Sequence, residues 1–347
     1  MPASLGLQNY IKNELPYKIL MHIYEDSRAP LRAIGRQVGI SHYTISTVLK
    51  ELESKYDIFY TLELDPHALG FHSGKLITIK FGIIPDIEML KRLLKKDVFV
   101  QDAYLASGDF DIVMYVVGLT PEDFQQWQFK LRIELGEFRP KFNVSDVNMY
   151  MDGFFPLKSE LIEKSVQLSN VEKRVLVLLN ENSRIKMKEL VKKSRVSPVS
   201  IFYIMKKLKE KGIVKRYSAL TQSPSKRLLV AYSVRLMPVK EHTALSINLS
   251  KAILAEDYHE ATNDYCTAIN ANGVIDLFYI CSFKDGEALS KRGPSLIQKV
   301  LEKENPVLEQ SILTGLIAGK WPFHLDNHRK RSSETITKVD LASMRYY

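Results

Sequence analysis

An α+β chain built twice from one pair of units, a winged helix-turn-helix followed by a ferredoxin-like βαββαβ sandwich, is the fold this sequence predicts. Three observations carry the prediction. The stretch Val171–Arg227 has helix-turn-helix spacing and holds sixteen Lys and Arg against four Asp and Glu, a net of +12 beside +9 for the whole chain. The same order of elements occurs 156 residues earlier, so that Ser41 answers Ser197 (197 − 41 = 156). After each of these stretches the apolar pattern changes from helical spacing to strict alternation, interrupted by two amphipathic helices. Both copies are long enough for cores of their own in a chain of 347 residues.

In the first copy, Tyr17–Tyr24 and Leu31–Val38 read as helices, with Gly39–Ile40 as the turn between the second and third. Ser41 caps a third helix that runs to about Ser54, with Ile45, Val48, Leu49 and Leu52 facing inward. Ser41 and the outward residues His42, Tyr43, Thr44, Ser46, Thr47 and Lys50 form its expected DNA-contacting set, with hydroxyls and an imidazole able to hydrogen-bond base edges. Asp57–Leu64 reads as the wing strand. Over residues 17–70 six basic residues meet seven acidic ones, so the first copy lacks the attraction of the second. Lys75–Ile83, Val98–Ala106, Phe110–Leu119 and Phe142–Met149 then alternate as strands, with helices at Pro85–Lys95 and Pro121–Leu135; that order is βαββαβ. Gly153–Leu168 is a linker.

The second copy opens on a stripe of Val171, Val175, Leu178 and Leu179, followed by Met187, Leu190 and Val191. Ser194–Arg195–Val196 is the turn, Ser197 the N-cap, expected also to anchor the helix N-terminus on a DNA phosphate, and Pro198 the first helical residue of the third helix. Ile201, Ile204, Met205 and Leu208 point inward, which leaves Val199, Ser200, Phe202, Tyr203 and Lys206 on the opposite arc. Gly212 ends that helix. Ile213–Tyr217 is a strand and Ser223–Arg227 a basic turn, a wing whose Lys215, Arg216, Lys226 and Arg227 join Lys207 and Lys209 as phosphate contacts. Strands follow at Leu228–Leu236, Glu260–Asn270, Ile275–Phe283 and Val307–Leu316, with helices at Val239–Ala255 and Gly286–Leu301. The expected divisions are residues 1–70, 71–152, a linker 153–168, 169–227, 228–325, and a basic tail 326–347 containing Arg329–Lys330–Arg331.

No secretory h-region and no apolar run of membrane-spanning length occurs, which predicts a soluble, cytoplasmic protein with no membrane partner. Cys266 and Cys281 are the two cysteines, expected opposite one another on adjacent strands as a reduced pair. No Cys/His cluster has ligand spacing, so no metal or cofactor is expected.

Several runs resemble the Lrp/AsnC (feast/famine) transcription regulators of bacteria and archaea: Ser197-Pro-Val-Ser-Ile201, Lys209-Glu-Lys-Gly-Ile-Val214, and Leu64-Asp-Pro-His-Ala-Leu-Gly70. The resemblance implies a RAM/AsnC-type ligand-sensing role for each sandwich. Gly108-Asp109-Phe-Asp111 looks like the family's turn beside its effector site, and Gly273-Val-Ile-Asp276 is a looser version. It implies an effector of the amino-acid class at Gly108, Asp109, Asp111, Gly273 and Asp276. Two departures stand out. Tyr203 and Ile204, and Thr47 and Val48, replace the family's usual recognition-helix arginines. The tandem fusion also lets the two halves pair within one chain, as an intramolecular pseudo-dimer or within a larger homo-oligomer.

These readings predict a sequence-specific regulator that binds double-stranded DNA and is not an enzyme. An alternative is an enzyme similar to the tetrapyrrole (sirohaem) decarboxylases of like layout, toward which Tyr258, His259 and Tyr265 point, without those enzymes' arginine- and tryptophan-bearing signature. A third is an architectural DNA-binding protein with no effector.

Overall fold

The computed structural model describes residues 15–56, 58–72, 74–152, 154–221, 228–235, 266–283, 285–287, 289–290 and 307–318. The first helix-turn-helix is α1 (Leu15–Glu25), α2 (Leu31–Val38) and α3 (His42–Tyr56), with Gly39 in the left-handed region at φ 72° and the strand β1 (Ile58–Leu64) behind it. Ile45, Val48, Leu49 and Leu52 are buried, as the helical spacing requires. The second is α7 (Asn170–Glu181), α8 (Met187–Ser194) and α9 (Pro198–Glu210), followed by β6 (Val214–Thr221). Ser169 and Glu172 form a reciprocal capping box at the start of α7. The predicted stripe is displaced there: Val171, in the first turn, is exposed, and Leu176 is buried beside Val175 and Leu179.

Position 195 is the counterpart of Gly39, and Arg195 holds the left-handed conformation at φ 58°. A side chain with a Cβ is disfavoured there. Arg195→Gly is therefore expected to raise stability by about 1 kcal/mol; a denaturant midpoint that falls would contradict this.

The strands after the two helix-turn-helices differ from the expected wings in one respect. They pair with each other, antiparallel, from Ile58 opposite Thr221 to Glu63 opposite Arg216. Each strand completes the other copy's core. Ala219 and Leu220 of β6 pack with α1 and α3 of the first copy, and Leu62 and Leu64 of β1 pack with Val175, Leu176 and Ile201 of the second. The reason is that a lone exposed strand leaves a row of backbone groups and one apolar face unpartnered, and its counterpart offers both.

A sandwich follows each of these modules. The first has β2 (Lys75–Lys80), α4 (Ile87–Lys96), β3 (Val100–Gly108), β4 (Ile112–Val116), α5 (Pro121–Glu134) and β5 (Lys141–Asp152). A short helix α6 (Ser159–Lys164) occupies the linker. The second has β7 (Leu228–Arg235), β8 (Cys266–Gly273), β9 (Leu277–Phe283) and β10 (Val307–Ala318). Its expected helix Val239–Ala255, most of Gly286–Leu301, the Ser223–Arg227 turn, Tyr258–Tyr265 and the tail lie outside the described residues. Each half has the spatial order expected of βαββαβ, and the eight strands close into one barrel through the seams β5–β8 and β3–β10. Closure leaves the barrel's own strands with no free edge. Alternation along the strands separates two layers. Leu76, Val113 and Tyr115 share an interior with Leu229, Phe278 and Ile280 of the other half, while Ile77, Ile112 and Met114 lie under α4 and α5. The register places Cys266 opposite Cys281, and Cys281 is buried. No helix among the described residues is long and apolar enough to cross a membrane.

Candidate nucleic-acid interface

Helix α9 starts on a cap that the sequence specifies locally. Ser197 Oγ accepts the Ser200 N–H at 3.1 Å and lies 2.8 Å from Ser200 Oγ, with Pro198 at the first helical position. Ile201 and Leu208 are fully buried, which fixes the rotation of the helix about its axis. Val199, Phe202 and Tyr203 consequently stand 66%, 65% and 68% exposed. Large apolar groups standing this far out on a basic helix cost hydrophobic free energy unless something covers them. Lys206 and Lys209 extend the same face toward the helix end, and Lys206 makes only a loose pair with Glu210 at 3.7 Å. Beside it runs a groove of about 500 Å³ between Ser169 at the start of α7 and Lys206 and Lys207 of α9.

Lys207 differs from the other lysines. Its ammonium lies 2.6 Å from the nearly buried carboxylate of Glu172. Burial alone would raise the pKa of that carboxyl, but the Lys207 contact and the hydrogen bonds with Ser169 outweigh it and hold it down to about 2. A depressed carboxyl contributes stability that is complete above its unfolded value near 4.5 and is lost as pH falls toward 2. Glu172→Gln is expected to flatten the loss of thermal midpoint between pH 4.5 and pH 2; an unchanged acid limb would show that the pair contributes nothing.

Arg216, expected on a phosphate, serves the join between the copies instead, and Lys215, half-exposed, also reaches across that join. Lys215 pairs with Asp65 at 3.3 Å. Arg216 pairs with Glu63 across the β1–β6 ladder, meets the Tyr24 hydroxyl, and lies over the Tyr24 ring at 4.1 Å. The cross-pairing of the strands turns these two side chains toward acidic groups of the first copy. Lys226 and Arg227 lie outside the described residues.

In the first copy the cap is repeated. Ser41 Oγ accepts the Thr44 N–H at 3.2 Å and lies 3.0 Å from Thr44 Oγ1. Tyr43 is 75% exposed, and Thr47 and Lys50 are exposed with it. His42 and Ser46 are half-buried, the His42 ring lying 4.0 Å from that of Tyr43. The Thr47 hydroxyl donates to the Tyr43 carbonyl at 3.1 Å, which leaves its methyl for contact.

The two Gly…Asp turns lie at the barrel seams. The Asp109 N–H donates to the Gln310 carbonyl at 3.0 Å, the Gln310 N–H donates to the Asp109 carboxylate at 2.6 Å, and the Phe110 N–H donates to Ser311 Oγ at 2.9 Å. At the opposite seam the Ile275 N–H donates to Ser145 Oγ at 2.6 Å. Gly108 and Gly273 have φ of 147° and 145°, and a Cβ there would lie 2.4 Å from Gln310 O and 2.9 Å from Val144 O. Asp111 accepts from Lys80 Nζ at 2.9 Å and from the Phe81 N–H at 2.8 Å, while Asp276 is buried with its N–H on the Val234 carbonyl. Ser145 and Ser311 were not among the expected site residues. Nothing local marks them, because each meets a turn more than a hundred residues away.

Comparison with known proteins agrees with this geometry. The MarR family model matches residues 168–220, the second helix-turn-helix and its strand. The HTH-type transcriptional regulator LrpA of Pyrococcus horikoshii is 34% identical over 111 residues, 30% of this chain and 76% of that protein. The HTH-type transcriptional regulator FL11 of Pyrococcus abyssi is 30% identical over 105 residues, 30% of this chain and 69% of that protein. The chain belongs to the Lrp/AsnC family of HTH-type transcriptional regulators. For this family member a solved chain of like extent also exists: the siroheme decarboxylase NirDL superposes with a TM-score of 0.61 over 90% of this chain and 96% of that one, at 16% identity. That likeness is one of fold.

Proposed function

We propose that this chain regulates transcription in the cytoplasm by binding duplex DNA with α9 in the major groove. The observation that carries the reading is the outward face of α9, where Val199, Phe202 and Tyr203 stand exposed among lysines. Val199 and Phe202 provide apolar surface for thymine methyls, Ser200 and Tyr203 provide hydroxyls, and Lys206 reaches base or phosphate. Lys207 and Lys209 neutralise phosphates, and the Val199 N–H at the start of the helix donates to another. Helix α3 contributes Tyr43, Thr44, Ser46, Thr47 and Lys50 with little long-range attraction. The test is retention of duplex DNA titrated against salt. A steep decline is expected; a flat profile, or no retention at low salt, removes the reading.

A small effector, of the amino-acid class, is proposed at the Gly108 and Gly273 turns. Support comes from their place at the seams, where a ligand that displaced Asp109 from Gln310 would change how the halves pack. Thermal-shift screening with amino acids tests this, since a ligand of the native state raises the midpoint. Added tetrapyrrole is expected to give no absorption shift, in keeping with relatives named as regulators rather than enzymes.

A further inference from the structure

We infer that one chain reads a bipartite, non-palindromic duplex, its two unlike half-sites held in a fixed order and at a fixed spacing. The inference rests on the DNA-binding reading and adds the form of the target.

Its first support is a pseudo-twofold axis in the join between the helix-turn-helices. Ser27 Oγ and Ser183 Oγ, 156 residues apart, meet at 2.5 Å. The same separation carries Ser41 onto Ser197, so counterparts touch, as they do only at a twofold axis. In the strand ladder Thr61 faces Ser218 and Leu62 faces Tyr217; the counterpart of Thr61 is Tyr217, which centres the ladder on that axis to within half a residue. The join is rigid as well: Arg28 donates to the Ser183 and Ile185 carbonyls at 2.7 and 3.2 Å, and the barrel below is closed. Helices α3 and α9 are therefore presented as twofold mates, the arrangement that the backbone symmetry of a duplex accepts.

The second support is that the side chains break the symmetry that the backbone keeps. A homodimer presents one reader twice and so selects a palindrome. Here the caps match and Lys50 answers Lys206, but Tyr43 answers Val199 and Thr47 answers Tyr203. Two readers of different shape and hydrogen-bonding capacity select different bases. The charge is also divided, since Glu51 and Glu53 stand where α9 has Lys207 and Lys209. The second copy supplies most of the attraction, and both supply discrimination.

Selection of bound duplexes from a random library with the full chain tests this, followed by repeats with Tyr43→Ala and Tyr203→Ala, both at well-exposed positions. The expected result is a two-part sequence with unlike halves in one order, Tyr43→Ala relaxing one half and Tyr203→Ala the other. Inverting one half-site should weaken retention about tenfold or more. A symmetric consensus, a freely varying spacing, or a single half-site indifferent to Tyr43→Ala would overturn the inference while leaving DNA binding intact. No enrichment at low salt would remove the DNA reading itself.

Discussion

Replacing Lys206 and Lys209 together with Glu is expected to reduce retention of duplex DNA by about a hundredfold at ~0.1 M salt. Each phosphate left without its lysine lowers the slope of log affinity against log salt by about 0.9, so the slope should fall by about 1.8. These two lysines are chosen because neither holds the fold. Lys206 is exposed with only the loose Glu210 pair, and such surface pairs contribute about 0–1 kcal/mol. Lys207 would be a poor choice, since its loss leaves the carboxylate of Glu172 without its partner. The same change of charge at Lys91 and Lys130, in α4 and α5, is expected to alter retention by less than about threefold, because screening confines the effect to charges near the duplex. Equal losses from both pairs would show that net charge alone drives binding and that α9 has no special place.

The second large effect concerns stability. Leu62 belongs to β1 of the first copy but is fully buried against the second copy's helices. Leu62→Ala is expected to cost about 2–5 kcal/mol and to loosen α7 and α9 before it loosens α1 or α3. The same packing predicts that residues 169–221, excised, will not fold cooperatively, although the family match to residues 168–220 follows nearly those limits. The excised segment is deprived of Leu62 and Leu64, each contributing about 1.5–3 kcal/mol of burial, together with the whole β1 ladder. Circular dichroism and a denaturant titration of the fragment measure this. A sigmoidal transition in the fragment alone would refute the account of the shared core, and adding a β1 peptide is expected to restore structure if the account is right.

How much of this was legible beforehand follows from the range of the interactions involved. The Ser197–Pro198 start, the burial of Ile201 and Leu208 and the outward stance of Tyr203 are set by residues within one or two helical turns of each other, and the pattern of the sequence contains them. The doubled order of elements was legible for the same reason, as was the register of Cys266 with Cys281 across a short turn. Arg216 shows where such reading stops. Alternation identifies Val214–Thr221 as a strand but says nothing about its partner, so a basic residue in it was expected to face phosphate. Its partner is β1, and Arg216 is turned onto Glu63 and Tyr24 instead. Ser27 with Ser183, and Ser311 with the Phe110 turn, are of the same kind.

By itself, then, the sequence determined the helices of both helix-turn-helices and of the first sandwich, the serine caps of α3 and α9, the alternation of the strands, the repeat and the concentration of positive charge on residues 171–227. All of these depend on neighbours close along the chain. The tertiary structure alone decided that the two strands cross between copies, that eight strands close into one barrel, and that the Gly108 and Gly273 turns clasp its seams. Those outcomes come from edge groups and apolar faces more than a hundred residues apart finding one another, and a periodicity read along the chain carries no information about which distant edge will satisfy them.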